Sequence, residues 1–312
     1  MGSGGNVNAF FGIMTMIIAI PTGVKIFNWL FTMYHGRIKF ATPMLWFLGF
    51  VVTFSIGGMA GVMMAVPAID FQVHNSLFLV AHFHTMIIGG VVFGFFAGLT
   101  YWFPKIFGFS LNERLGRYAF WCWFIGFLLA FGPLYILGLM GATRRLDHYD
   151  ASMGWQGLFI VAAVGAATIF AGVGFQILQL VYSIWKRNDN RDLTGDPWNG
   201  RTLEWSTTSP APEYNFAVIP EVTGRDAFWT AKHKKAVTPE YEDIHLPNNS
   251  GFPVIIAALA FMGGFGVVWH IWWLAIAGLF GIILCVIIRT TSGEHEHKLT
   301  AAKVAQLEGE AA

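Results

Sequence analysis

The run Leu79-Val80-Ala81-His82-Phe83-His84-Thr85-Met86 sets two imidazoles near the start of an apolar stretch long enough to cross a bilayer. A polar side chain at that depth is costly to insert, so it is functional by default. Side chains two residues apart on an α-helix diverge by about 200°, and His82 and His84 therefore cannot easily converge on one metal ion. They can ligate two different centres, one on each side of the helix.

Working outward, composition fixes the surroundings of that helix. With 55% hydrophobic and 12% charged residues, 30 Phe and 13 Trp, the chain is too apolar for a typical soluble domain. The Trp count suits interfacial belts in a membrane. A net charge of +1, with no basic run interleaved with aromatics, gives no reason to expect nucleic acid as a partner. Seven stretches are apolar enough to span: 9–34, 44–66, 77–103, 118–140, 156–185, 253–269 and 272–288. The expected fold is an all-α, polytopic transmembrane helix bundle of about seven spans. The last two stretches nearly abut at His270 and Ile271, and read as a tight hairpin or as one long tilted helix. The organisation expected is a five-span core over 1–187, a charged and proline-containing connection over 188–251, a hairpin over 252–290 and a polar tail over 291–312.

Basic residues set the orientation. Arg37 and Lys39 follow the first span, Lys105, Arg114 and Arg117 the third, and Lys186, Arg187 and Arg191 the fifth, while the loop around Asp70 has no Lys or Arg. Odd-numbered loops are therefore cytoplasmic. His82 and His84 then lie in the outer part of the third span, with Asp70, His74, Arg144 and Arg145 on loops at the same outer end. Arg144 and Arg145 work against the topology and invite an anionic partner such as a propionate or phosphate. Local neutralisation by Asp147 and Asp150 is the bland alternative.

A lone histidine on an apolar helix is more often a core residue than a ligand. Two together at membrane depth point to ligation, and imidazole is a common axial ligand of heme iron. Glu294-His295-Glu296-His297 repeats the spacing in a charged, frayed tail, where it reads as solvated surface. Lys25 is the second intramembrane anomaly, costing about 2.5–3.5 kcal/mol at a helix centre. Thr15, Thr22, Lys25 and Thr32 fall within an arc of about 100°, a polar stripe that can relay protons. Alternatively Lys25 snorkels while the threonines bond their own backbone. Cys122 and Cys285 read as small buried hydrophobes, and Gly57-Gly58 and Gly263-Gly264 suit close helix packing.

The chain resembles subunit I of the heme-copper terminal oxidases, most closely the bo-type ubiquinol oxidases of bacteria. The resemblance rests on Ile20-Pro21-Thr22-Gly23-Val24-Lys25-Ile26-Phe27-Asn28-Trp29, Leu79 through His84, Thr143-Arg144-Arg145-Leu146, and Arg191-Asp192-Leu193-Thr194-Gly195-Asp196-Pro197-Trp198 onward through Arg201-Thr202-Leu203-Glu204-Trp205. It implies that His82 ligates a high-spin heme where oxygen is reduced and His84 a low-spin heme that feeds it electrons, with Phe83 between them. Thr22 and Lys25 match a proton channel from the cytoplasmic side. Arg144 and Arg145 match a pair that holds heme propionates, and Asp70 with His74 falls in the loop that caps the high-spin heme.

The cofactors so implied are heme b and heme o, or an a-type heme, with copper only in a full-length subunit. The partners implied are oxidase subunits II, III and IV, ubiquinol, oxygen and membrane lipids, in a bacterial inner (plasma) membrane. The sequence has no adjacent His pair for copper and no candidate for the second axial ligand of the low-spin heme. It is therefore expected to be a C-terminal portion, inactive by itself. Three alternatives stand beside this reading: a cytochrome c oxidase, a copper-free heme membrane protein, and a transporter using Lys25 and the arginines as substrate groups.

Overall fold

Prolines and capping side chains decide where the helices begin, and a computed structural model shows the result for residues 4–233, 240–293 and 296–311. Helix α1 (Gly5–Met33) carries Pro21 inside it. Helix α2 (Thr42–Ala65) starts on Pro43 and the short α3 (Pro67–Val73) on Pro67, each proline at a first-turn position where a missing N–H costs nothing. Ser76 caps α4 (Leu77–His84), its hydroxyl accepting from the Phe78 N–H at 3.2 Å. The backbone then widens into a π-helical segment, Thr85–Val92, before α5 (Phe93–Phe107) resumes and stops at the left-handed Gly108.

Asn112 caps α6 (Glu113–Leu139) through the Leu115 N–H at 3.0 Å. Helix α7 (Gln156–Trp185) returns antiparallel to it. Their axes approach closely because glycine faces backbone: a Cβ on Gly165 would strike the Ala130 nitrogen, and one on Gly126 would lie 2.8 Å from the Ile169 nitrogen. At the far end the Asn112 N–H donates to Ser183 Oγ at 2.9 Å and Gln179 Nε2 to the Asn112 carbonyl at 3.0 Å. Both α7 side chains are buried. Trp46, Phe93, Phe120 and Phe127 form an aromatic core joining α2, α5 and α6.

The chain divides after Trp198 into two compact units. The first part of the predicted 188–251 connection belongs to the helical unit: the Ser110 N–H donates to the Asn190 carbonyl, the Asp192 N–H to the Gly108 carbonyl, and Trp198 Nε1 to the Tyr101 carbonyl at 2.7 Å. The second unit holds α8 (Ala227–Lys232), the antiparallel strands β1 (Ile244–Pro247) and β2 (Glu296–Leu299), the helices α9 (Phe252–Val268) and α10 (Trp272–Thr291), and α11 (Ala301–Ala311). Helices α9 and α10 are separate and pack on each other, with Gly278 against Gly263.

Among the described residues, six helices are long and apolar enough to span: α1, α2, the continuous run Leu77–Phe107, α6, α7 and α10. Helix α9 has 17 residues, about 25 Å, which is short of a bilayer core of about 30 Å. The seven stretches expected thus become six spans and one shorter apolar helix of a polytopic helical membrane protein. Two expectations are corrected. The third span is not a uniform α-helix, because the π segment interrupts it just past His84. The tail is solvated as expected but not frayed: Glu296 and His297 are exposed yet lie in β2, with His297 Nδ1 2.9 Å from Asn248 Oδ1, and Val304 beyond them is buried. Glu294 and His295 lie outside the described residues.

Candidate functional site

Two loops fix the end of the bundle that carries most of the predicted site. The Leu77 N–H donates to the Ala142 carbonyl at 2.9 Å, the Arg144 N–H to the Asn75 carbonyl at 2.9 Å, and Ser76 forms an isolated bridge with Thr143. The connections around residues 66–76 and 140–155 are thereby tied together above α4. Residues of the odd-numbered loops meet likewise at the opposite end, where Arg117 Nη2 donates to the Phe40 carbonyl. The grouping matches the alternation read from the basic residues.

Below the tied loops, roughly one and a half to two turns into α4, the two imidazoles part company. His82 faces α2. A Cβ on Gly61 would lie 3.0 Å from His82 Cε1, so the ring needs the glycine's bare backbone. Its Nδ1 is buried with no hydrogen-bond partner among the described residues. His84 faces α6. Its ring stacks on Phe131 with centroids 4.5 Å apart and planes at 16°, and its Nδ1 is 2.8 Å from the Val80 carbonyl. That bond makes Nδ1 the protonated nitrogen, so Nε2 keeps its lone pair. Phe83, between them in sequence, is 47% exposed.

The π segment holds its place through hydroxyls from neighbouring helices. Thr53 of α2, fully buried, has its Oγ1 2.9 Å from the Gly89 carbonyl and 2.8 Å from the Gly49 carbonyl. Tyr135 of α6 donates from its hydroxyl to Thr85 Oγ1 at 3.1 Å, and Thr85 donates to the Ala81 carbonyl. A wider helical turn leaves carbonyls poorly paired within the helix, and these side chains satisfy them.

At the end of the bundle with the tied loops, Arg144 grips Asn75: Nε and Nη2 both donate to Asn75 Oδ1, at 3.1 and 2.8 Å. Asp70 Oδ1 on α3 and Nδ1 of His74, which caps the end of that helix, are 3.6 Å apart. Asp147 pairs with His148 at 3.1 Å, whose hydrogen bond holds its carboxyl below the usual carboxylate range. Asp150 accepts from the Ser152 N–H and is likewise lowered. Among the described residues neither carboxylate forms an ion pair with Arg144 or Arg145. Arg145 is exposed, holds a left-handed φ of 69°, and has no polar partner among the described residues.

Lys25 stands apart from this group. It is exposed on α1, and Thr15, Thr22 and Thr32 each donate to the carbonyl four residues earlier, at 2.7–2.9 Å. Thr15, toward the start of α1, reaches the rest of the site: a cavity of about 170 Å³ between α1 and the α2–α3 junction is lined by Asn8, Phe11, Thr15, Met64 and Asp70.

The sequence profile described as Cytochrome C and Quinol oxidase polypeptide I matches residues 1–168. The chain belongs to this family. It is 56% identical to the cytochrome bo(3) ubiquinol oxidase subunit 1 of Buchnera aphidicola subsp. Baizongia pistaciae, over 99% of this chain and 47% of that relative. Identity is 54% to the ubiquinol oxidase subunit 1 of Acetobacter aceti, over 99% and 48%, and 54% to a probable cytochrome c oxidase subunit 1 of Bradyrhizobium diazoefficiens, over 99% and 47%. The chain thus spans about half the length of the relatives it matches. A heme-copper terminal oxidase dimer solved by cryo-EM superposes with a TM-score of 0.53 at 22% identity, covering 59% of this chain and 37% of that one. That likeness is one of fold.

Four features escaped the sequence reading: Asn75, Phe131, the Gly61 recess and the π segment. Gly57-Gly58 did signal close packing, and Gly57 faces Met86 Sδ, which a Cβ there would approach to 2.8 Å. Asn75 carried a fainter signal, since asparagine tolerates the left-handed φ of 57° it adopts.

Proposed function

We propose that this chain supplies the axial imidazoles, the propionate-holding loops and one proton-delivery helix of a proton-pumping respiratory oxidase that oxidises quinol and reduces oxygen to water. The observation that carries the reading is the divergence of His82 and His84 onto different neighbours, α2 and α6. A shared metal site would need them on one face.

The residues fit heme. His84 donates through Nδ1 to the Val80 carbonyl, leaving Nε2 as the ligating nitrogen, and such a second-shell bond is what orients a metal-bound imidazole. His82 carries a buried, unpartnered nitrogen, a cost that a purely structural core histidine has no reason to bear. His84 would hold a low-spin heme b and His82 a high-spin heme of o or a type, with copper held by sequence outside this chain. The bound groups would supply one-electron transfer and oxygen reduction.

The chain's own residues orient and charge-balance those groups. Phe131 covers one face of His84, and Phe83 would lie between the two hemes. Arg144 and Arg145, with Asp70 and His74 beside them, receive propionates at the outer end, where Asn75 already holds one guanidinium in place. On α1 Lys25 and Thr22 would line the proton path, the Thr22 hydroxyl turning away from the Ile18 carbonyl to release its own proton onward as its oxygen accepts the next. Oxidase subunits II, III and IV, ubiquinol, oxygen and the lipids of a bacterial inner membrane complete the assembly. Cytochrome c as donor is the second reading, favoured by the Bradyrhizobium relative's name.

The test uses the full-length oxidase. His84→Ala should abolish the low-spin spectrum and keep the high-spin one, and His82→Ala should do the reverse. Retention of both signals in the double variant would remove the heme reading altogether.

A further inference from the structure

The cytoplasmic end of the helical unit carries a second candidate site that the oxidase reading does not use. An open cleft of about 560 Å³ lies between the starts of α2 and α6 and the segment that returns from α7, walled by Lys39, Phe40, Ser110, Glu113, Arg117 and Trp198. All of these residues belong to one compact unit. They come from the loops after the first, third and fifth spans, which carry the basic residues of the inner face.

The charges do not cancel. Glu113 is the single carboxylate in the wall, and its Oε1 already accepts from the Thr42 N–H at 2.8 Å and from Arg117 Nε at 3.1 Å. Arg117 spends one further N–H on the Phe40 carbonyl. Of the five N–H donors on a guanidinium, three remain. Lys39 is exposed and has no polar partner among the described residues. The wall therefore carries one net positive charge, an unpaired Lys39 beside the Arg117–Glu113 ion pair, whose guanidinium keeps N–H groups to donate, with the Ser110 hydroxyl beside them.

The rim is apolar. Phe40 is 60% exposed, Leu111 and Pro197 line the same cleft, and Trp198, with its indole N–H committed to the Tyr101 carbonyl, adds its ring to the wall. A free phosphate has no use for such a rim. A lipid has: its acyl chains run along exposed aromatics at the membrane boundary while its headgroup phosphate meets lysine and arginine, the usual chemistry of basic recesses on this side of a membrane.

We propose that the Lys39–Arg117 cleft binds the phosphodiester headgroup of an acidic phospholipid from the cytoplasmic leaflet. The site is independent of the hemes, so it stands or falls separately from the oxidase reading. The test reconstitutes the full-length protein into vesicles doped with a photoactivatable phosphatidylglycerol, or with the phosphatidylcholine analogue, and maps crosslinks by mass spectrometry. Crosslinks within 39–41, 110–117 and 197–198 are expected from phosphatidylglycerol and to fall about fivefold in Lys39→Gln, one cation's worth of attraction to an anionic surface. Lys39 holds no structural bond, so this variant folds; Arg117→Gln should lower labelling further. Equal labelling by both lipids, or labelling unchanged in Lys39→Gln, overturns the proposal. Loss of labelling when inorganic phosphate is added at matched ionic strength also overturns it, assigning the cleft to the free ion.

Discussion

Helices α4 and α1 both carry polar groups into the apolar layer, and the bundle treats them differently. Around α4 neighbouring helices meet several of these features: Gly61 makes room for His82, Phe131 stacks on His84, and Thr53 and Tyr135 hold the π segment. On α1 the threonines answer only to their own backbone, and Lys25 is exposed. Packing has therefore fixed the geometry of the imidazoles within this chain. The polar stripe of α1 is presented outward, its partners not among the residues of this unit.

The largest expected effect breaks the packed side of that contrast. A Cβ on Gly138 would strike the backbone of Phe78, one residue into α4, whereas one on Gly23 of α1 meets nothing within 4 Å. Gly138→Ala should destabilise the full-length protein by at least about 3 kcal/mol, since rigid backbone cannot yield. Gly23→Ala should stay within about 0.5 kcal/mol. Thermal unfolding in detergent measures both, and a similar midpoint for the two variants would dissolve the distinction.

A smaller effect sharpens it. Thr53→Val removes a hydroxyl that reaches Gly89 from another helix and leaves a buried carbonyl unanswered, costing about 1 kcal/mol. Thr22→Val removes a bond within one helix and should leave stability unchanged to about 0.5 kcal/mol. If α1 delivers protons, Thr22→Val and Lys25→Met should nonetheless slow reduction of the high-spin heme while both hemes stay bound. Normal turnover in Lys25→Met would leave the stripe as lipid-facing decoration.

Much of this was legible in the chain. Hydropathy located the spans, basic residues grouped the loops into two ends, and the two-residue spacing of His82 and His84 required opposite faces. The π segment was not legible, because a one-residue widening leaves no mark on hydrophobic periodicity. Nor was the Arg144–Asn75 grip, since it depends on two loops distant in sequence meeting above α4. The hairpin α9–α10 was ambiguous for a physical reason: the break at His270 is a single left-handed residue, and histidine does not announce that conformation as glycine would. Proximity in sequence suggested that Asp147 and Asp150 pair with the arginines, and among the described residues no such ion pair forms. His148 and the Ser152 N–H sit closer to those carboxylates.

The smallest expected effect concerns those arginines, which repeat the contrast on a single loop. Arg144 is held by Asn75, while Arg145 is exposed in a left-handed conformation that an L side chain adopts at a cost of about 1 kcal/mol. Arg145→Gly relieves that cost, so the unfolding midpoint should hold or rise slightly. On the proposed reading Arg145 lies beside a heme propionate, and removing that cation would disfavour the reduced, more negative state, so the midpoint potential of that heme should fall in the same variant. A structural role alone would move the first reading without the second. A potential unchanged in Arg145→Gly would detach that residue from the propionates and leave Arg144 as the sole anchor.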